Sequence, residues 1–223
     1  MPSWRLANAA ELAAAYKYTF YRPSAETIGK VAIGDNVKLI FEYAEDHDNP
    51  DGWSAERMWV LVDHIDGNGN FRGRLDNEPR HITDLQLDDA LAFSDIHIIQ
   101  VEHDDNDGNH FTDRYRKRCL VSARVLYDGE PIGNLYRETP EQEDDSGWRI
   151  LAGDETDDYF DDEDAVAYVS LGAVLNRDEA ILPLLDAAPG SSFQREAGTD
   201  RFVADEPDGG PESEGQVESE GQV

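Results

Sequence analysis

Cysteine is almost missing from this chain of 223 residues: Cys119 is the single example. One thiol excludes an intramolecular disulfide and fits a reducing compartment. Lysine is scarce as well, with only Lys17, Lys30, Lys38 and Lys117. No apolar run approaches the ~20 residues of a membrane span. The opening MPSWRLANAAELAAAYKY lacks the basic segment and long apolar core of a signal peptide. The expected location is the cytoplasm. Also absent are GxGxxG, P-loop, HExxH and GxSxG patterns. The chain is therefore read as non-enzymatic, with no catalytic residue, no cofactor and no dedicated metal site.

What is present is acid. Asp and Glu number 49 against 19 Lys and Arg, giving a net charge of -30. Such a surface repels phosphate backbones and anionic lipid, so nucleic acid and membrane are excluded as partners. Its natural complement is a basic protein. The competing reading is a halophilic one, in which acid without lysine keeps the surface hydrated in a salty cytoplasm. At 39% hydrophobic content the chain has enough material for a core.

The pattern along the chain predicts α+β architecture in two small domains, mostly antiparallel sheet with few short helices. Asn8-Ala9-Ala10-Glu11 reads as a capping box opening a helix from Ala9 to Lys17, and Ser24 as the cap of one turn through Ile28. Val37–Tyr43 alternates as a half-buried strand, and Glu56–Val62 is a near-continuous apolar strand expected to be covered on both faces. Asp66–Asn70 (DGNGN) is a hairpin turn, and Phe71–Leu75 alternates again. His81–Leu87 and Ala90–Val101 supply two or three further strands. Cys119–Tyr127, Ile132–Arg137, Trp148–Leu151 and Ser192–Arg195 are the strands of the second half. Ala165–Leu175 is read as a strand from its Val and Tyr content. Asn176 to Glu179 repeats the capping pattern before a helix that Pro183 keeps short. Residues 1–103 are expected to form an N-terminal mainly-β domain with one N-terminal helix, 104–114 a linker and 115–203 a C-terminal α+β domain. Residues 204–223, where ESEGQV occurs twice, read as a disordered acidic tail.

Two loops invite a metal reading, Asp46–Gly52 and His103–His110. Neither fits an EF-hand, because Met58 and Arg114 stand where the closing Glu belongs. Cys119 opens an apolar strand and reads as an inert thiol. The basic patch Arg114–Arg118 (RYRKR) is expected to pair with acidic loops of the same chain.

One surface stands out, Gly153–Asp164 (GDETDDYFDDED). Tyr159 and Phe160 are flanked by Asp154, Glu155, Asp157 and Asp158 on one side and by Asp161 and Asp162 on the other. An aromatic anchor ringed by acids suits docking of a basic partner. Trp148, just upstream, is counted with these residues as a partner-binding candidate. The alternative is that the aromatics plug the chain's own core while the acids face water.

Residues 146–155 (SGWRILAGDE), Tyr159, LGAVLNRDEAILPLL and PGSSFQR resemble the immunity protein 33 family, also catalogued as domain of unknown function 2185. Upstream, VKLIFEY, ERMWVLV, GRLDNEP and FSDI resemble domain of unknown function 2314. The resemblance implies two adjacent small domains and an immunity role, in which the protein occludes a toxin's active or substrate-binding surface. It transfers no catalytic residue. The alternative function is a regulatory or housekeeping domain pair with a salt-adapted surface.

Overall fold

The structure is a computed structural model that describes residues 2–44, 52–104 and 111–205. The duplicated tail and most of both loops weighed as metal sites lie outside these residues.

The first half is a six-stranded sheet built from β1 (Trp4–Leu6), β2 (Asn36–Tyr43), β3 (Ala55–Ile65), β4 (Asn70–Leu75), β5 (Ala90–Ser94) and β6 (Ile98–Val101). The order is β1-β2-β3-β4-β5. The remaining edge of β2 is shared end to end, by β1 along Phe41–Tyr43 and by β6 along Val37–Leu39. Strict alternation sets the core: Phe71, Gly73 and Leu75 of β4 point inward, and Asn70, Arg72 and Arg74 point out. β3 alternates from Met58 onward instead of being covered on both faces, and Leu61 is 40% exposed. The turn Asp66–Asn70 forms as expected. The Asp66 carboxylate accepts the Asn68 N–H at 2.8 Å, with Gly67 and Gly69 at φ 81° and 78°.

His81–Leu87 is not a strand. The Glu56 carboxylate accepts the backbone N–H groups of Arg80, His81 and Ile82 at 2.6, 2.9 and 3.2 Å. These donors are thereby withdrawn from any ladder, and Ile82 and Leu85 plug the core as side chains only. Burial acts to raise the Glu56 pKa, but the three backbone bonds outweigh it and leave the carboxyl below its ordinary value.

Helix α1 spans Ala9–Ala15, with the Asn8 side chain accepting from Ala10 and Glu11 N–H at 3.1 and 3.2 Å. It ends two residues before Lys17. Helix α2 (Ala25–Ile28) is capped by Ser24 as expected.

The second sheet contains β7 (Arg118–Ser122), β8 (Asn134–Arg137), β9 (Asp145–Leu151), β10 (Val166–Ser170), β11 (Ser192–Arg195) and β12 (Phe202–Ala204). Its order is β10-β7-β9-β8-β11-β12, and β7–β9 is a parallel pair in an otherwise antiparallel sheet. The run Cys119–Tyr127 is a strand only to Ser122. It then winds into a wide helical turn, Arg124–Asp128, closed by Gly129 in the left-handed region at φ 77°. Ala165–Leu175 also divides, into β10 and the helix α3 (Leu171–Leu175), because the Ser170 hydroxyl caps Ala173 N–H at 3.3 Å. The following 3-10 turn, Glu179–Leu184, is capped by Asp178 rather than Asn176.

Asn176 has a different task. Its side-chain oxygen accepts the Tyr18 N–H at 2.9 Å and its amide donates to the Thr19 hydroxyl at 2.7 Å. Tyr18 is 1% exposed and lies in the core of the second sheet, against Tyr115. Lys17 pairs with Glu179 at 3.1 Å. The segment after α1 thus ties the two halves together. Phe111–Tyr115, assigned mostly to a linker by the sequence, is a 3-10 turn stacked on Tyr18. The basic patch pairs as expected: Arg114 with Asp186 at 3.4 Å and Arg116 with Asp113 at 2.7 Å.

Candidate functional site

The acidic aromatic loop hangs from β9, which lies inside the second sheet. Gly147 sits at φ 81°, and a Cβ there would overlap the Glu138 carbonyl oxygen, so the strand needs glycine at this kink. Beside it, Asp145 and Arg149 form a buried bidentate pair, both contacts at 3.2 Å. The Arg149 hydrogen bonds pull the Asp145 carboxyl down to about 2 against the cost of burial, aided by the Gly147 N–H.

Trp148, a partner-binding candidate by sequence, is not on the surface. It is 0% exposed, its indole N–H donates to the Leu185 carbonyl at 3.4 Å, and it packs 6.2 Å from Phe193. It is a core residue and cannot meet a partner in the folded state.

Glu155 is likewise spent within the chain. Its carboxylate accepts the N–H groups of Ala152 and Gly153 at 2.8 and 2.7 Å, which fastens the turn that leaves β9. Burial raises its pKa, but these bonds and the Ser122 hydroxyl outweigh that and keep it below the ordinary value. Asp154 pairs with Arg124 at 2.7 Å, and Arg124 also holds Glu130 at 2.6 Å.

The rest of the loop is the 3-10 turn Asp157–Asp161. Tyr159 is half-buried. Its hydroxyl donates to the Ala165 carbonyl at 2.8 Å and lies 3.2 Å from the Ser122 hydroxyl. Phe160 meets the Tyr159 ring edge-on at 5.3 Å and remains 44% exposed. The two aromatics therefore divide the roles the sequence left open: Tyr159 fixes the turn, and Phe160 faces out. Asp157, Asp158, Asp161 and Asp162 are exposed. Among the described residues no cation pairs with any of these four.

The arrangement offers an apolar ring on a rigid turn within a negative field. Cys119 is buried, and burial pushes its thiol up to about 12, so it is no nucleophile. Among the described residues no three His, Cys, Asp or Glu side chains are grouped to hold a metal ion. No helix of the described residues is long and apolar enough to cross a membrane.

A family model described as an uncharacterized protein conserved in bacteria, DUF2314, matches residues 5–120. That span is more than half of the chain. The chain belongs to the DUF2314 family. The model of the immunity protein Imm33 domain matches residues 119–205, which contain the whole acidic loop. The DUF2314 region thus holds all but the first residue of the first sheet, and the Imm33 region all but the first residue of the second. Both halves of the sequence resemblance are met, although the number 2185 is not part of the matched description. No curated protein and no solved structure matches the chain.

Proposed function

We propose that this protein is a non-enzymatic, immunity-type binder that occludes a functional surface of a basic toxin through the Asp157–Asp162 turn. The observation that carries this reading is Phe160: a large apolar ring held 44% exposed on a turn whose acids pair with no cation among the described residues, within the Imm33 region. Exposed aromatics at the centre of a charged rim are the usual anchors of protein interfaces.

The test is a titration of candidate basic toxins with two variants. Phe160→Ala is expected to cost at least ~2 kcal/mol of binding, raising Kd about thirtyfold. Its melting temperature should stay near wild type, because the ring is half in water. Neutralising Asp157, Asp158, Asp161 and Asp162 to Asn should slow association and flatten its salt dependence, since rim charges mainly steer encounter. Wild-type binding by both variants would remove the loop from the interface.

A second reading, a regulatory domain pair with a salt-adapted surface in a salty cytoplasm, is favoured by the four lysines against 49 acids. It predicts a rise in thermal stability with KCl that continues far past ~0.15 M, where the Debye length is already about 8 Å. Thermal melts from low to molar KCl check this. A flat profile above ~0.15 M would leave the acidity to partner binding.

A further inference from the structure

The scarcest charge in this molecule gathers at one place that the immunity reading does not use. On the outer face of the first sheet, Lys38 of β2 lies opposite Trp59 of β3 and opposite Gln100 of β6, while Arg57 lies opposite Ile40. Lys38 and Arg57 are thus diagonal neighbours on one face. The Lys38 ammonium sits 4.2 Å from the centre of the Trp59 ring. Both cations line a cleft of about 380 Å³, closed on its far side by the Thr19–Tyr21 segment and by Thr112 and Arg116.

Most cations of this chain have a carboxylate partner, as expected where acids outnumber bases 49 to 19. Among the described residues neither Lys38 nor Arg57 has one. Arg116 at the rim is already paired with Asp113 at 2.7 Å. Two acids also line the cleft. Asp104 accepts the Tyr21 hydroxyl at 2.8 Å, and Glu102 is exposed. Lys38 is therefore part-desolvated and stands in the field of the exposed Arg57, and neither has a carboxylate paired to it in a molecule with a large surplus of acid. Burial first, and the Arg57 charge second, lower the Lys38 pKa. A bound anion would relieve both. The cleft volume lies within the usual range of small-molecule sites, with Phe20 and Ile99 as apolar wall and Gln100 and Thr112 as polar lining.

We propose that this cleft binds a small anionic ligand, its phosphate or carboxylate group held between the Lys38 ammonium and the Arg57 guanidinium. The site is independent of the acidic loop and survives or fails apart from it.

The experiment is amine labelling of the full chain, read by mass spectrometry at its four lysines. Inorganic phosphate and succinate are the two probes, each against KCl at matched ionic strength. Lys38 labelling is expected to fall about tenfold when a probe stands near ten times its Kd, with Lys17, Lys30 and Lys117 unchanged. Arg57→Gln, an exposed change that leaves the core intact, should abolish that protection while the melting temperature in KCl holds. Protection by phosphate alone assigns a phosphorylated ligand, by succinate alone a carboxylate ligand, and by both a general anion site; each supports the proposal. Protection by neither, equal protection of all four lysines, or protection that persists in Arg57→Gln overturns it.

Discussion

Asp145→Ala is expected to destabilise the protein by about 3 kcal/mol, because it leaves Arg149 buried beside an empty position. Arg149 is 7% exposed and Asp145 2%, so water cannot replace the lost carboxylate. The expected cost stays at the low end of the range because Glu138 still holds the Arg149 Nε at 2.8 Å. In a chain of this size the loss appears as a melting-temperature drop of about 6–12 °C. Replacing both partners with leucine should cost less than the single change, since no orphan charge remains. The sign of the pH effect follows from the depressed carboxyl. Its contribution is present above the unfolded value near ~4 and is lost as pH falls through about 2. The gap between wild type and Asp145→Ala should therefore narrow on acidification over that window. Denaturant melts at stepped pH measure it, and a gap that stays constant would show that folding does not hold the carboxyl below its ordinary value.

Tyr18→Ala should have a comparable effect, about 3–5 kcal/mol, by emptying a large aromatic volume from the core of the second sheet. The consequence is distributed in an informative way. Tyr18 belongs by sequence to the first half, yet its ring packs on Tyr115 and its backbone N–H is held by Asn176. Amides of β7 and β9 should lose hydrogen-exchange protection when this N-terminal residue is cut back. If only amides of the first sheet respond, the halves behave as the independent domains proposed from the 104–114 boundary. If both respond, they fold as one unit.

Much of this architecture was legible in one dimension. Period-two alternation marked β2 and β4, and Asp66-Gly67-Asn68-Gly69 marked the hairpin, because both signals are local. The failures share a cause. His81–Leu87 looked like a strand, but its first two backbone donors are taken by Glu56, a residue 25 and 26 positions away. Asn176 looked like a helix cap, but it serves Tyr18 across the fold. β1 and β12 are three residues each, too short to show a period. In the candidate site the acids and Phe160 were visible as composition. The burial of Trp148 was not, because an indole reads the same on either face of a strand. Lys38 and Arg57 were beyond reach as a pair until the β2–β3 register was known.

The position of β10 gives the acidic loop one more consequence. β10 is an outer strand of its sheet, and among the described residues it pairs with β7 alone, so its other side is an unpaired strand edge there. The chain enters this strand directly from Asp161, Asp162, Glu163 and Asp164, all exposed. A second copy adding there in parallel would bring two sets of these carboxylates together. Their mutual repulsion would oppose self-templated stacking of identical chains, whether or not any partner is bound.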